Sequence, residues 1–215
     1  MTGSIGNIVM RPERKSMESK KILSIRNVVQ IGMFGALAAV LMLFEFPLPF
    51  IAPSFYELDL SEIPVLIGTF SMGPVAGVLI ELIKILLKLV LKGTSTAYVG
   101  DVANFIIGCF FLLPAGIIYK MKKTKKGAVI GMITGTLVMA AAGAIMNAYV
   151  LLPFYSQFYG MPMEALIAAG TEVNSLITNI PTFVLVAVVP FNLIKGIIVS
   201  LITYLVYKRV RVIIH

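Results

Sequence analysis

The sequence predicts an all-α membrane protein, a bundle of six transmembrane helices with the N- and C-termini on the cytoplasmic side. Of its 215 residues, 59% are hydrophobic and only 13% are charged, and the mean hydropathy is +0.97, which is outside the range of soluble domains. Apolar runs of about 20 residues, the length that crosses a bilayer, recur along the chain. Basic residues cluster beside the ends of these runs, as expected of cytoplasmic segments.

The basic clusters divide the chain. They lie in the first 26 residues, in the central segment 120–126 and near residues 208–211. Because they flank apolar runs rather than line one polar face, the formal charge of +8 indicates contact with membrane lipid and not with nucleic acid. We expect residues 1–26 to be a polar, disordered cytoplasmic tail, and residues 27–210 to form the membrane domain.

The first span is predicted over residues 28–46 and carries two small-xxx-small pairs, Gly32 with Ala36 and Gly35 with Ala39. Such pairs let a second helix approach the backbone closely. They are equally compatible with packing inside this bundle and with docking of a partner.

A proline-rich, acidic loop follows, because three prolines deny the backbone the donors and the φ freedom of a helix. Asp59 or Ser61 can cap the next helix, a short one predicted over residues 62–71. A turn at Gly73 and Pro74 then separates it from a third helix, predicted over residues 74–91.

The third helix carries Glu81, Lys84 and Lys88 on one face, at i, i+3 and i+7, which should not face lipid. We expect Glu81 to pair with Lys84. The pair could fix packing or serve substrate passage.

Two polar residues stand near the start of the fourth helix, predicted over residues 99–119. Asp101 suits either a helix cap or a ligand contact, and Asn104 lies one turn deeper. The fifth span, predicted over residues 128–152, places Asn147 near its outer end. An asparagine in a membrane helix needs partners, either on another helix or on a ligand.

The outer segment 153–179 begins with four aromatic residues, which could form an interfacial belt or a lid. The last apolar stretch, residues 181–207, is too long for a simple span, so we expect a break at Pro190 and a sixth helix that begins there. Asn192 and Lys195 would then lie in its first turns, near the outer mouth.

Several chemistries have no support in the sequence. There is no GxxxxGK[ST] phosphate loop and no protease motif. The single cysteine, Cys109, cannot form a cysteine-based metal cluster, and the single histidine, His215, argues against histidine-dependent catalysis or a His-ligated metal in the membrane. A bundle with polar residues gathered at one membrane face favours a protein that binds a small molecule, without catalytic residues, metal or cofactor. The alternative is a structural membrane protein whose polar residues only hold helices together.

Ordered motifs carry a resemblance to a known family. The segments FPLPFIAPSFYELDLSEIPVLIG, GPVAG, GDVANFIIGCFFLLPAGIIYK, NAYVLLPFY and PFNLIKG together resemble the substrate-binding S component of energy-coupling factor (ECF) transporters, and most closely its riboflavin-specific member. The resemblance covers residues 28–207. It implies a multi-pass protein of the prokaryotic plasma membrane that captures riboflavin from outside and works with two ATPases and a scaffold membrane subunit.

The resemblance also implies site residues. In this family the first loop covers the site and polar residues of the fourth to sixth helices hold the vitamin, which here indicates Asn104, Asn147, Asn192, Lys195, Asp59 and Tyr155. The family docks on its scaffold subunit through small residues of the first helix, which indicates Gly32, Gly35, Ala36 and Ala39. Since one lysine is too little cation for a phosphate group, we expect riboflavin rather than a flavin nucleotide. Another vitamin on the same scaffold is the alternative.

Overall fold

The computed structural model describes the backbone of residues 24–214 and the side chains of residues 24–206. Most of the predicted cytoplasmic tail and the basic side chains near the C-terminus lie outside this range. Within it the chain is predominantly helical. The helices are α1 (Ile25–Met42), α2 (Glu62–Met72), α3 (Pro74–Lys92), α4 (Val99–Met121), α5 (Lys125–Met146), α6 (Leu152–Phe158), α7 (Met163–Val173), α8 (Ile180–Phe183) and α9 (Val189–Ile214).

The loop between α1 and α2 contains a short β pairing that the sequence did not suggest. Strand β1 (Phe46–Pro47) runs antiparallel to β2 (Glu57–Leu58), with Phe46 opposite Leu58. The pairing folds the proline-rich loop back on itself, and its interior residues Ala52 and Leu58 are buried. The loop is therefore a packed cover and not an open connection.

Four continuous helical segments are long and apolar enough to cross a membrane: Ile25–Met42, Val99–Met121, Lys125–Phe158 and Ile180–Val206. The prediction of an all-helical membrane protein is confirmed to this extent. The α2 helix has only 11 residues, about 16 Å at 1.5 Å per residue, yet most of its length is buried. It is the centre of the bundle, packed against α1, α3, α4 and α9.

The predicted bounds of the second, third and fourth helices differ from the observed ones by one or two residues. Gly73 separates α2 from α3 with a φ of 101°, a conformation that favours glycine. Pro74 occupies the first turn of α3, where its missing N–H costs no helical bond. Of the two predicted capping residues, Ser61 makes no capping bond, while Asp59 Oδ1 accepts a hydrogen bond from the Ser61 N–H (2.8 Å) just before α2.

The last two spans differ from prediction, because π-helical turns carry the helix past a proline. The turn Asn147–Leu151 joins α5 to α6, and the turn Val184–Val188 joins α8 to α9. A proline lacks an N–H and clashes with the carbonyl four residues earlier. For Pro153 and Pro190 that carbonyl lies inside the π-helical turn, whose wider register accommodates the ring. The predicted break at Pro190 is therefore wrong.

The longer helices change the depth of two site residues. The last helical segment begins at Ile180, after Asn179 and Thr182 form a reciprocal capping box, so Asn192 and Lys195 lie about three to four turns inside it. Their predicted position in its first turns is wrong. The fifth span likewise continues to Phe158, which places Asn147 well inside the helix and not near its outer end.

The two small-residue pairs of α1 lie on different faces. Ala39 is fully buried, and a Cβ atom added to Gly35 would lie 2.5 Å from Ile83 Cγ2 on α3. This pair packs inside the bundle, which favours the internal-packing interpretation, and docking through it stays an untested prediction. Ala36 is exposed, and a Cβ atom on Gly32 would meet nothing within 4 Å. Docking stays a prediction for Gly32 and Ala36.

Candidate ligand-binding cavity

A cavity opens where the first loop meets α3, α4, α6, α9 and the π-helical turn after α5. Five of the six predicted ligand residues line it: Asn104, Asn147, Tyr155, Asn192 and Lys195. The sixth, Asp59, lies directly behind Lys195, with its Oδ2 atom 2.8 Å from the lysine Nζ atom. The structure thus brings together residues that are up to 136 positions apart in the sequence. Their contact with a ligand stays a prediction.

The asparagines Asn147 and Asn192 are held by their own helices. The Asn147 side-chain amide donates to the Gly143 carbonyl (2.8 Å), and that of Asn192 donates to the Val188 carbonyl (2.9 Å). Both side chains are buried. Fixing a polar side chain in advance reduces the ordering cost when a ligand binds.

Aromatic side chains form part of the cavity wall, and sequence reasoning had singled out only Tyr155 among them. The Tyr56 hydroxyl donates to Asn147 Oδ1 (2.5 Å), and its ring lies 5.6 Å from the ring of Phe191. Phe55, next to Tyr56, also lines the cavity. The signal for Tyr56 was available, since it stands in the proline-rich loop that the resemblance implied would cover the site.

Lys195 and Asp59 form a buried ion pair between α9 and the first loop. The side chains are 10% and 2% exposed. Burial raises the pKa of Asp59, but the ammonium groups of Lys195 and Lys84 and the bond from the Ser61 N–H outweigh it and hold that pKa below its usual range. The Asp59 carboxylate stays charged and binds the loop to α9.

A second group of charges lies beneath the cavity. Lys84 has no exposed surface, and its Nζ atom is 2.7 Å from Glu62 Oε1 and 2.7 Å from Glu81 Oε1. The predicted Glu81–Lys84 pair is confirmed, while its partner Glu62 was not foreseen. The bare Cα of Gly108 makes room for both carboxylates, since a Cβ atom there would lie 2.4 Å from Glu81 Oε1.

Lys88 and Asp101 form a third buried pair, with 2.6 Å between Nζ and Oδ1. Asp101 is in the first turn of α4, as predicted. Its main partner is a lysine of α3, a possibility that neither the cap nor the ligand interpretation included. Both residues line the cavity, so the pair also forms part of its wall.

The cavity opens beside a group of exposed charges. Glu45 forms an ion pair with Lys92, and Glu57 on β2 is exposed beside them. Partial burial, the largest cause, and the neighbouring Glu45 carboxylate raise the pKa of Glu57, while the ammonium groups of Lys92 and Lys88 act in the opposite direction. The hydroxyl of Tyr159 donates to the Ser95 carbonyl and joins the aromatic segment to the loop before α4, and Ser95 and Tyr155 both line the cavity.

The sequence and the fold match one known family over nearly all of the described chain. The sequence model of the family described as "ECF transporter, substrate-specific component" matches residues 26–207. The chain belongs to this family. It is therefore a transport component of the bacterial cell membrane and not an enzyme, and the alternative of a purely structural membrane protein is set aside.

Characterised relatives have similar sequences. A riboflavin transporter RibU of Staphylococcus aureus (strain TCH60) is 36% identical over 184 residues, which cover 86% of this chain and 89% of that protein. The riboflavin transporter FmnP of Bacillus subtilis (strain 168) is 31% identical over 190 residues, 88% and 94% of the two chains. A solved S component of a bacterial ECF transporter superposes with a TM-score of 0.66 at 35% identity and covers 90% of this chain and 96% of its own.

We expect Lys195→Met to lower the stability of the ligand-free protein, because it leaves Asp59 buried without its closest counter-charge. Breaking a buried pair from one side costs about 3 to 5 kcal/mol. The double variant Lys195→Met with Asp59→Asn should recover much of the loss, because both charges are then removed. Thermal unfolding in detergent measures both effects.

The exposed Lys123 provides the control, since Lys123→Met removes the same charge outside the bundle and should leave the unfolding temperature nearly unchanged. An unfolding temperature for Lys195→Met equal to that of Lys123→Met would show that the Lys195–Asp59 pair does not hold the loop to α9.

Proposed function

We propose that this chain is the riboflavin-binding S component of an ECF-type importer, which captures riboflavin from outside and delivers it inward. The observation that carries the proposal is the convergence in one cavity with aromatic walls of polar side chains from three helical segments: Asn104, Asn147, and Asn192 with Lys195. The names of the similar transporters point to the same vitamin. The chain itself binds no cofactor on this proposal, since riboflavin is its cargo.

The chemistry of riboflavin suits this cavity. Its isoalloxazine is a flat aromatic ring with hydrogen-bonding edges, and its ribityl chain carries hydroxyl groups. Aromatic rings such as Tyr56 and Phe191 can pack on the ring system, while a few fixed amides select its edge and polar side chains receive the hydroxyls. The cavity offers both kinds of contact side by side.

The proposed topology has six membrane crossings with both termini inside. The four long apolar segments supply four crossings, and α2 and α3 supply the other two. The α3 helix is long enough, and its charged face is turned inward, where Lys84 and Glu81 are fully buried. The short α2 helix is enclosed by other helices, so protein rather than lipid surrounds most of its length.

The proposed partners are a scaffold membrane subunit and two ATPases, since the chain has no phosphate loop of its own. The pair of the half-buried Gly32 and the exposed Ala36 on α1 is the proposed docking surface. Small residues at i and i+4 allow a partner helix to approach the α1 backbone closely. Internal packing does not occupy this face, in contrast to that of Gly35 and Ala39.

Titration of purified protein with riboflavin should quench the flavin fluorescence at micromolar concentration. Asn192→Ala should weaken the affinity by about 1 to 3 kcal/mol, since one polar contact in a closed site is lost. Asn174→Ala, an asparagine at the end of α7 that does not line the cavity, is the matched control and should keep the wild-type affinity.

Riboflavin emission that is unchanged by micromolar wild-type protein would reject riboflavin as the ligand and leave another vitamin on the same scaffold. Equal affinities of both asparagine variants would remove Asn192 from the site.

We expect Ala36→Leu to abolish riboflavin uptake by cells while the purified variant still binds riboflavin, because the bulky side chain blocks docking only. Ala39→Leu, with the same added volume in a fully buried position, should instead lower thermal stability by about 1 to 3 kcal/mol through overpacking. Uptake assays, titrations and unfolding measurements separate the two effects. Normal uptake by the Ala36→Leu variant would place the docking surface elsewhere.

A further inference from the structure

Among the described residues, every lysine around the cavity is already paired with a carboxylate, so none is free to bind an anionic ligand. Four lysines line the cavity or lie beside it, and each is already paired with a carboxylate: Lys195 with Asp59, Lys84 with Glu62 and Glu81, Lys88 with Asp101, and Lys92 with Glu45. Three of these lysines are almost completely buried. A phosphate group would have to compete with a carboxylate that is already in place.

Carboxylates outnumber ammonium groups in the same region. The deep part of the cavity contains Glu62 and Asp101, whose Oε2 and Oδ2 atoms are buried and have no hydrogen-bond partner among the described residues. At the mouth, Glu57 is exposed, and within the described chain no lysine or arginine lies within ion-pair distance of it. Over the whole region six carboxylates (Glu45, Glu57, Asp59, Glu62, Glu81 and Asp101) stand beside four lysines, and Glu57 is the carboxylate without an ion-pair partner among the described residues.

A phosphate on the end of the ribityl chain would be expected at the mouth. At neutral pH a phosphate monoester carries a charge of about −1.5 to −2 and keeps its water unless cations replace it. The deep end is lined by buried charges that already have partners, such as Lys88 with Asp101, while the Glu57 side of the cavity is exposed. Glu57 and Glu45 stand at this point of the cavity wall.

We propose that Glu57, together with Glu45, is a specificity determinant that selects uncharged riboflavin against its 5′-phosphate ester by electrostatic repulsion at the mouth. The inference rests on the proposed riboflavin function and adds a rejecting element to it. Specificity is a difference between two affinities, and a repulsive group can create that difference without adding a contact to the preferred ligand. All four lysines already have carboxylate partners, so none is left to form a new ion pair with the phosphate.

The test is a titration of purified protein with riboflavin and with riboflavin 5′-phosphate, followed by flavin fluorescence at low salt. Glu57→Gln should improve the affinity for the phosphate ester relative to riboflavin by about three- to tenfold, the size expected from removing one charge near a partly screened dianion. Glu57→Lys should shift the ratio further in the same direction. Glu172→Gln on α7, exposed and away from the cavity, is the matched control and should keep the wild-type ratio.

Salt provides a second readout. Because the mouth is exposed, raising the ionic strength should bring the wild-type ratio toward that of Glu57→Gln, while the ratio of the variant should change less. If wild-type protein binds riboflavin but Glu57→Gln and Glu57→Lys keep its preference ratio, the inference is wrong and the proposed function stands. If wild-type protein binds neither flavin, the proposed function fails, and the inference fails with it.

Discussion

A lysine without exposed surface inside a membrane bundle is stable only beside carboxylates, and Lys84 meets this constraint by lying between Glu62 and Glu81. Charges cannot be left unpaired in a medium of low dielectric constant, so α2 and α3 must keep one register relative to each other. The pair between Lys88 and Asp101 does the same for α3 and α4. The cavity lies above helices that these ion pairs hold in place.

The polar wall of the cavity depends on a second feature, the π-helical turns before Pro153 and Pro190. By carrying the helices past the prolines, these turns allow Asn147 and Asn192 to lie within continuous spans and not at their ends. The first loop then completes the wall from outside, through the bond between Tyr56 and Asn147 and the pair between Asp59 and Lys195. Loop and helices therefore form one site, and a change in either should be felt by the other.

Local signals predicted much of this structure. Hydropathy and helix start signals placed α2, α3 and α4 to within one or two residues, because Gly73 and Pro74 and the polar turn before Val99 mark their ends unambiguously. The predicted start of the last span was wrong because Pro190 was interpreted only as a helix breaker. The capping residues Asn179 and Thr182, which mark the actual start, were visible in the sequence. No local pattern signals a π-helical turn, since it depends on how the neighbouring helices pack.

The candidate site was predictable in its membership but not in its pairing. The motifs indicated Asn104, Asn147, Asn192 and Lys195, together with Asp59 and Tyr155, but among the ion pairs of the site only that of Glu81 with Lys84 was predicted. The other contacts join elements that are distant in sequence. Lys195 pairs with Asp59, Glu62 joins Glu81 and Lys84, and Asp101 pairs with Lys88. Likewise, both pairs of small residues in α1 have the same i, i+4 spacing, so the sequence could not separate the buried Gly35 face from the face of Gly32 and the exposed Ala36.

A structure of the protein with riboflavin bound tests the central claim most directly. We predict that the isoalloxazine ring lies in the cavity between the first loop and α9, within hydrogen-bond distance of the amides of Asn147 or Asn192, and that the Lys195–Asp59 pair stays intact. A flavin bound outside this cavity, or inside it without contact to Asn104, Asn147 or Asn192, would contradict the proposed binding site.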